Sequence, residues 1–166
     1  MRPLAPTYVT HLLAPIHAEL VALLRSLTAS PWLLSTSAGQ WRVREVVAHL
    51  LDGDLRRLSY CRDGLAQPEL AGLRSYDDVL TYLNRLNETW IAAAARLSPQ
   101  LLTELVDGVG RQAVEFLASL PPHEAADWPV SWAGEGRSEN WMDVGRNYTE
   151  YWTISSRFAT RWERRR

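Results

Sequence analysis

The sequence predicts an all-α fold, and three observations carry that prediction. Apolar residues recur at three- and four-residue intervals through four or five long segments. No run of strict alternation is long enough to make a strand. Helix-start signals stand ahead of two of the segments, at Ser75 and at Ser98-Pro99. The 166 residues, 46% of them hydrophobic, suit one domain with a core that needs no disulfide or metal staple. Helical segments of roughly 18 to 25 residues joined by loops form a four-helix bundle.

In the first segment Leu13, Ile16, Leu20, Leu23, Leu24 and Leu27 share a helical face. Pro15 leaves two alternatives, a helix starting there or a longer one from about Thr7 kinked at the proline. Thr28 to Gln40 is rich in Ser and Thr and holds Pro31 and Gly39, a turn-forming composition. A second helix from about Val43 to Arg62 buries Val43, Val46, Val47, Leu50, Leu51, Leu58 and Cys61, and Gly64 and Pro68 close it. Ser75-Tyr76-Asp77-Asp78 reads as a capping box for a third helix, whose inner stripe is Val79, Leu83, Leu86, Trp90, Ala94 and Leu97.

Ser98 caps a fourth helix with Pro99 in its first turn, running to about Leu120 with Gly108 and Gly110 weakening its middle. The near-absence of a linker predicts that the third and fourth helices are antiparallel neighbours or a bent pair. Pro121 to Arg137 is a long loop with two tryptophans, Trp128 and Trp132, that need an apolar surface to cover. A last helix starts near Ser138, carries Trp141, Val144, Tyr148, Tyr151, Trp152, Phe158 and Trp162, and ends in a basic tail from about Glu163. The long loops after the first helix and before the last predict crossover connections. The expectation is one domain over residues 1–166.

Composition excludes several classes of function. The 18 basic residues are all arginine and face 19 acids, for a net charge of −1, which gives no field toward nucleic acid or anionic membrane. Without lysine there is neither Schiff-base catalysis nor a P-loop. Cys61 is the sole cysteine, so thiolate clusters and intrachain disulfides are excluded and any metal must be held by His and carboxylates. No apolar stretch approaches the ~20 residues of a membrane span. Met1-Arg2-Pro3-Leu4 lacks the apolar core of a signal peptide, and a soluble cytoplasmic protein is expected.

Four histidines remain as candidates for chemistry. His11, His17 and His123 read as surface or packing residues. His49 stands apart in Val46-Val47-Ala48-His49-Leu50-Leu51-Asp52, three residues after Val46 at the edge of the apolar stripe. Its ring can face the bundle axis, with Asp52 one turn on to orient it or share a ligand. A buried His satisfied by a carboxylate explains the same spacing.

Gln40-Trp41, Val43, Val46-Val47-x-His49-Leu50 and Asp52, together with Arg146-x-x-Thr149-Glu150-Tyr151-Trp152-Thr153 in the last helix, resemble the DinB-like superfamily. The branch indicated is the one related to the N-terminal domain of mycothiol-dependent maleylpyruvate isomerase. The resemblance implies an up-up-down-down bundle, a homodimer, and a divalent metal such as zinc or nickel that activates a low-molecular-weight thiol. In family members with a metal, a His of the second helix joins a Glu-x-x-x-His or His-x-x-x-His pair on the last. His49 and Glu150 match the first two ligand positions, and Ile154 stands at the third. Isoleucine cannot ligate, so the expectation is an incomplete site that binds no metal tightly, with Asp52 as a substitute ligand candidate.

Two main function classes follow, ahead of a third, a purely structural dimer module. One is a relative of the thiol-dependent transferase or isomerase metalloenzymes with a degenerate site, in which His49 and Glu150 remain as an acid/base pair. The other is a non-enzymatic small-molecule-binding or stress-protective dimeric bundle using the same pocket. Tyr151, Trp152 and Trp132 are its candidate lining, with Tyr148, Trp141 and Trp128 as further aromatics. The isomerase carries an additional C-terminal domain for which 166 residues leave no room, so its own reaction is not expected here.

Overall fold

The computed structural model describes residues 5–36, 38, 41–127 and 138–163, with the side chains of 71 and 155–163 left out. Five α-helices carry the described chain: α1 Thr10–Ser26, α2 Val43–Arg56, α3 Tyr76–Ala94, α4 Pro99–Ser119 and α5 Asn140–Glu163. No strand occurs among the described residues; two isolated bridges, Ser35 with Arg42 and Ala125 with Glu139, pin the loop ends. No described helix is long and apolar enough to cross a membrane.

Helix α1 starts at Thr10, upstream of Pro15. The proline sits in its second turn, where it removes the bond to the His11 carbonyl but leaves the helix intact. The α2 segment spans the predicted length in two parts, because after Arg56 the chain continues as a π-helical turn from Arg57 to Arg62. Gly64, at φ 72, then reverses it in a conformation that side chains disfavour. Glu45 accepts from the Arg42 amide at 2.6 Å at the start of α2. The predicted caps of α3 and α4 form: Asp78 accepts from the Ser75 amide at 2.9 Å while Ser75 Oγ accepts from the Asp78 amide at 3.1 Å, and Ser98 Oγ accepts from the Leu101 amide at 3.2 Å.

The core lies among α1, α2, α4 and α5. Leu20, Leu24, Val47, Leu51, Leu102 and Val106 are almost fully buried in it, and Leu13, Leu117 and Val144 form a smaller cluster. Trp32, from the turn Ser30–Leu33, also plugs the core. It was not among the expected core residues because its surroundings read only as loop.

Helix α3 departs from expectation. It packs on α2 rather than along α4, while α4 packs on α1 and α2. Of the expected stripe on α3 itself only Ala94 is fully buried; Val79, Leu83, Leu86 and Trp90 are half-buried, and Tyr82 is buried instead. Only the C-terminal end of α3 enters the core, through Ala94 with Trp90 and Ile91 packed beside it, so the rest of its apolar stripe stays partly open. Trp90 fastens it by donating from Nε1 to the Ala48 carbonyl of α2 at 2.7 Å.

Candidate functional site

A cavity of about 270 Å³ opens where α2 and its π-helical turn face α5 and the inner edge of α3. Helical spacing builds its walls. From α2 come His49, Gly53 and Arg56, and from the π-helical turn Arg57 and Tyr60, each three or four residues from the next or adjacent to it. Helix α5 supplies Asp143, Arg146, Asn147 and Glu150 at the same intervals, with Tyr151 beside them, and α3 supplies Leu83 and Asn87. The π-helical turn adds Cys61. Wider turns of this kind recur at functional sites, because they re-aim side chains that a regular helix would turn away.

His49 and Glu150 both line this cavity. The His49 ring packs against Trp41, centroids 5.0 Å apart, and its Nδ1 is buried without a hydrogen-bond partner. Such an atom costs about 1–3 kcal/mol, which packing alone does not explain. Burial and then the positive charge of Arg56 lower the pKa of His49, and the Asn87 side chain opposes them. The imidazole is therefore neutral at neutral pH. Glu150 sits at the mouth and is exposed as a residue, yet the surrounding wall desolvates its carboxyl enough to raise its pKa.

The remaining polar groups are largely committed to one another. Tyr151, buried, donates to Asp54, a residue only 2% exposed. Burial lifts the Asp54 pKa to about 6, against the pull of the Tyr151 hydrogen bond and the Arg57 charge. Arg57 grips Asp143 with both terminal nitrogens, and Arg146 reaches the same carboxylate at 3.4 Å. On the far side of Tyr151 lies His17, buried, with Nε2 3.1 Å from the Val106 carbonyl and its ring 6.1 Å from the tyrosine ring. Burial also raises the Cys61 thiol pKa, so it is held as a thiol rather than activated.

Several candidates from the sequence lie elsewhere. Asp52 does not line the cavity; it is buried and pairs with Arg56, Nε to Oδ2 at 3.0 Å. Trp152 is 52% exposed and outside the cavity. Trp141 donates to Glu139 and packs on Tyr8, and Tyr148 covers the core. Trp128 and Trp132 lie outside the described residues. Most lining residues are thus polar or charged, yet the surface they present is mainly apolar, from their carbon stems together with Tyr60, Tyr151, Leu50 and Leu83. Arg56, Arg57, Asn87, Asp143 and Asn147 were not anticipated, although stepping by three or four from His49 and back from Glu150 reaches four of them.

A comparison with protein families matches residues 13–153 to the mycothiol maleylpyruvate isomerase N-terminal domain. The chain belongs to this family. Comparisons with curated proteins and with solved structures found no match. Ile154, one helical turn beyond Glu150, is buried in the core cluster with Val46, Val47 and Leu50. Among the described residues no three of His, Cys, Asp and Glu are grouped so as to hold an ion. Catalytic zinc takes three protein ligands and an open position. Two donors, a hydrocarbon and a carboxylate already paired with arginine do not fit such a site.

Proposed function

We propose that this family member is a degenerate-site relative of the thiol-dependent transferases and isomerases, whose cavity binds a small organic molecule without a tightly held metal. His49 and Glu150 are its proton-transfer pair. The observation that carries the reading is their shared cavity, combined with the core position of Ile154. Metal-bound thiolate chemistry depends on the ion to depress the thiol pKa. A neutral imidazole can instead take a proton from a thiol or an acidic C–H, and a carboxyl with a raised pKa is more often protonated, and so available to return one, than an ordinary glutamate.

A thiol-consumption assay tests this with a panel of low-molecular-weight thiols and unsaturated electrophiles. Turnover is expected to survive a chelator and to fall about 100-fold or more in His49→Gln and in Glu150→Gln. Turnover that needs an added divalent ion overturns the reading. The commitment of Asp54, Arg57 and Asp143 to internal pairs favours a second reading, a binding protein without catalysis. Ligand-induced melting shifts with no turnover, unchanged in both variants, would select it.

A further inference from the structure

We propose that Arg56 forms a carboxylate subsite in this cavity, so that the natural ligand is a small organic carboxylate. The proposal rests on the reading of the cavity as a small-molecule site. Three arginines line the wall, and two of them are engaged with Asp143. Arg56 differs. Asp52, one turn back on α2, lies 3.0 Å from its Nε as an ion pair without hydrogen-bond angles, and among the described residues neither terminal amino group of Arg56 has a hydrogen-bond partner.

A guanidinium presents two edges. With the Asp52 charge beside one, the fork of terminal nitrogens remains, and that fork matches a carboxylate in two parallel bonds. The side chain is 20% exposed, so an incoming anion meets a partly desolvated, pre-oriented cation and little rotamer freedom is left to lose. Asp52, a candidate metal ligand in the sequence, thereby acts as a positioning residue for Arg56.

The floor between Arg56 and His49 is open. Gly53 lies between them on α2, and a Cβ built on it would meet nothing within 4 Å. A ligand with its carboxylate on Arg56 can therefore lay its body along Gly53 and Leu83 toward His49. Glu150, Asp54 and Asp143 on the same wall disfavour a dianion such as phosphate, and the sequence has no lysine to add a further donor.

The test uses the full chain with sodium benzoate as probe, benzamide as its neutral isostere and inorganic phosphate as the competing anion, by thermal shift and calorimetry at fixed ionic strength. Benzoate is expected to raise the Tm and to titrate as one site, whereas benzamide and phosphate do neither. Arg56→Gln is expected to weaken benzoate at least about tenfold, with partial recovery in Arg56→Lys. Should Arg56→Gln fail to fold, as judged by circular dichroism, Arg56→Lys carries the comparison with wild type. Equal binding of benzoate and benzamide, phosphate binding in place of benzoate, no benzoate binding, or wild-type affinity in the Arg56 variants would each overturn the proposal. None of these readouts depends on metal or turnover, so its failure is separable from failure of the proton-transfer reading.

Discussion

Tyr151 of α5 donates its hydroxyl hydrogen to Asp54 of α2 across the middle of the bundle, and both side chains are buried. The bond joins the cavity wall to the core. It also places a carboxyl where burial raises its pKa to about 6.

That carboxyl gives a signed pH dependence. The unfolded chain releases the Asp54 proton near pH 3.9, whereas the folded chain holds it to about pH 6. The favourable contribution is therefore complete below about pH 4 and is lost as pH rises through 6. Asp54→Asn retains an acceptor for Tyr151 and carries no such titration. Between pH 4.5 and 7.5, urea unfolding is expected to show wild type losing about 2 kcal/mol relative to Asp54→Asn. Parallel stability profiles would contradict it.

Two glycines of α4 are expected to respond with opposite signs. A Cβ on Gly110 would overlap His17 Nε2 and lie 2.7 Å from its Cδ2 and 3.2 Å from the Tyr151 hydroxyl, whereas one on Gly108 meets nothing within 4 Å. Gly110→Ala is predicted to destabilise by about 1–3 kcal/mol, overcrowding outweighing the gain in helix propensity. Gly108→Ala is predicted to stabilise by roughly 0.5–1 kcal/mol. Paired chemical denaturation curves check both, and a stabilising Gly110→Ala would show that His17 has room to move.

Position 154 tests the family register. Ile154→His places an imidazole one turn from Glu150, completing the ligand set the resemblance implies. Without metal, exchanging a core isoleucine for a polar ring is expected to lower stability by about 1–3 kcal/mol. Added zinc should bind stoichiometrically and restore it. A folded variant with no gain in zinc affinity by calorimetry would count against the register.

The helices and their caps were legible in the sequence because they depend on local chemistry. Ser75, Asp78 and Ser98 bond backbone within one turn of themselves, and the stripe from Val43 to Leu58 needs only a periodicity. His49 and Glu150 were legible as a pair because each sits in a specific motif. What was not legible depends on contacts distant in sequence. Asp52 pairs with Arg56, not with His49, because both stand on the same helix edge and the cation is nearer in charge complementarity. The Arg57–Asp143 pair and the His17–Gly110–Tyr151 contact join helices whose relative placement no single segment encodes. Gly110 read as a weak point of α4, and only the packing shows that it makes room for His17. That only the C-terminal end of α3 enters the core was hidden for the same reason, since an apolar stripe does not reveal how much of it will be covered.

The most direct measurement for the account as a whole is the divalent metal content of protein purified without an affinity tag, determined by elemental analysis and paired with zinc calorimetry. With His49 and Glu150 as the available donors and Ile154 in the core, far less than one ion per chain is expected, with weak zinc binding that Ile154→His converts to tight binding. One zinc or nickel ion per chain, lost in His49→Ala, would contradict it.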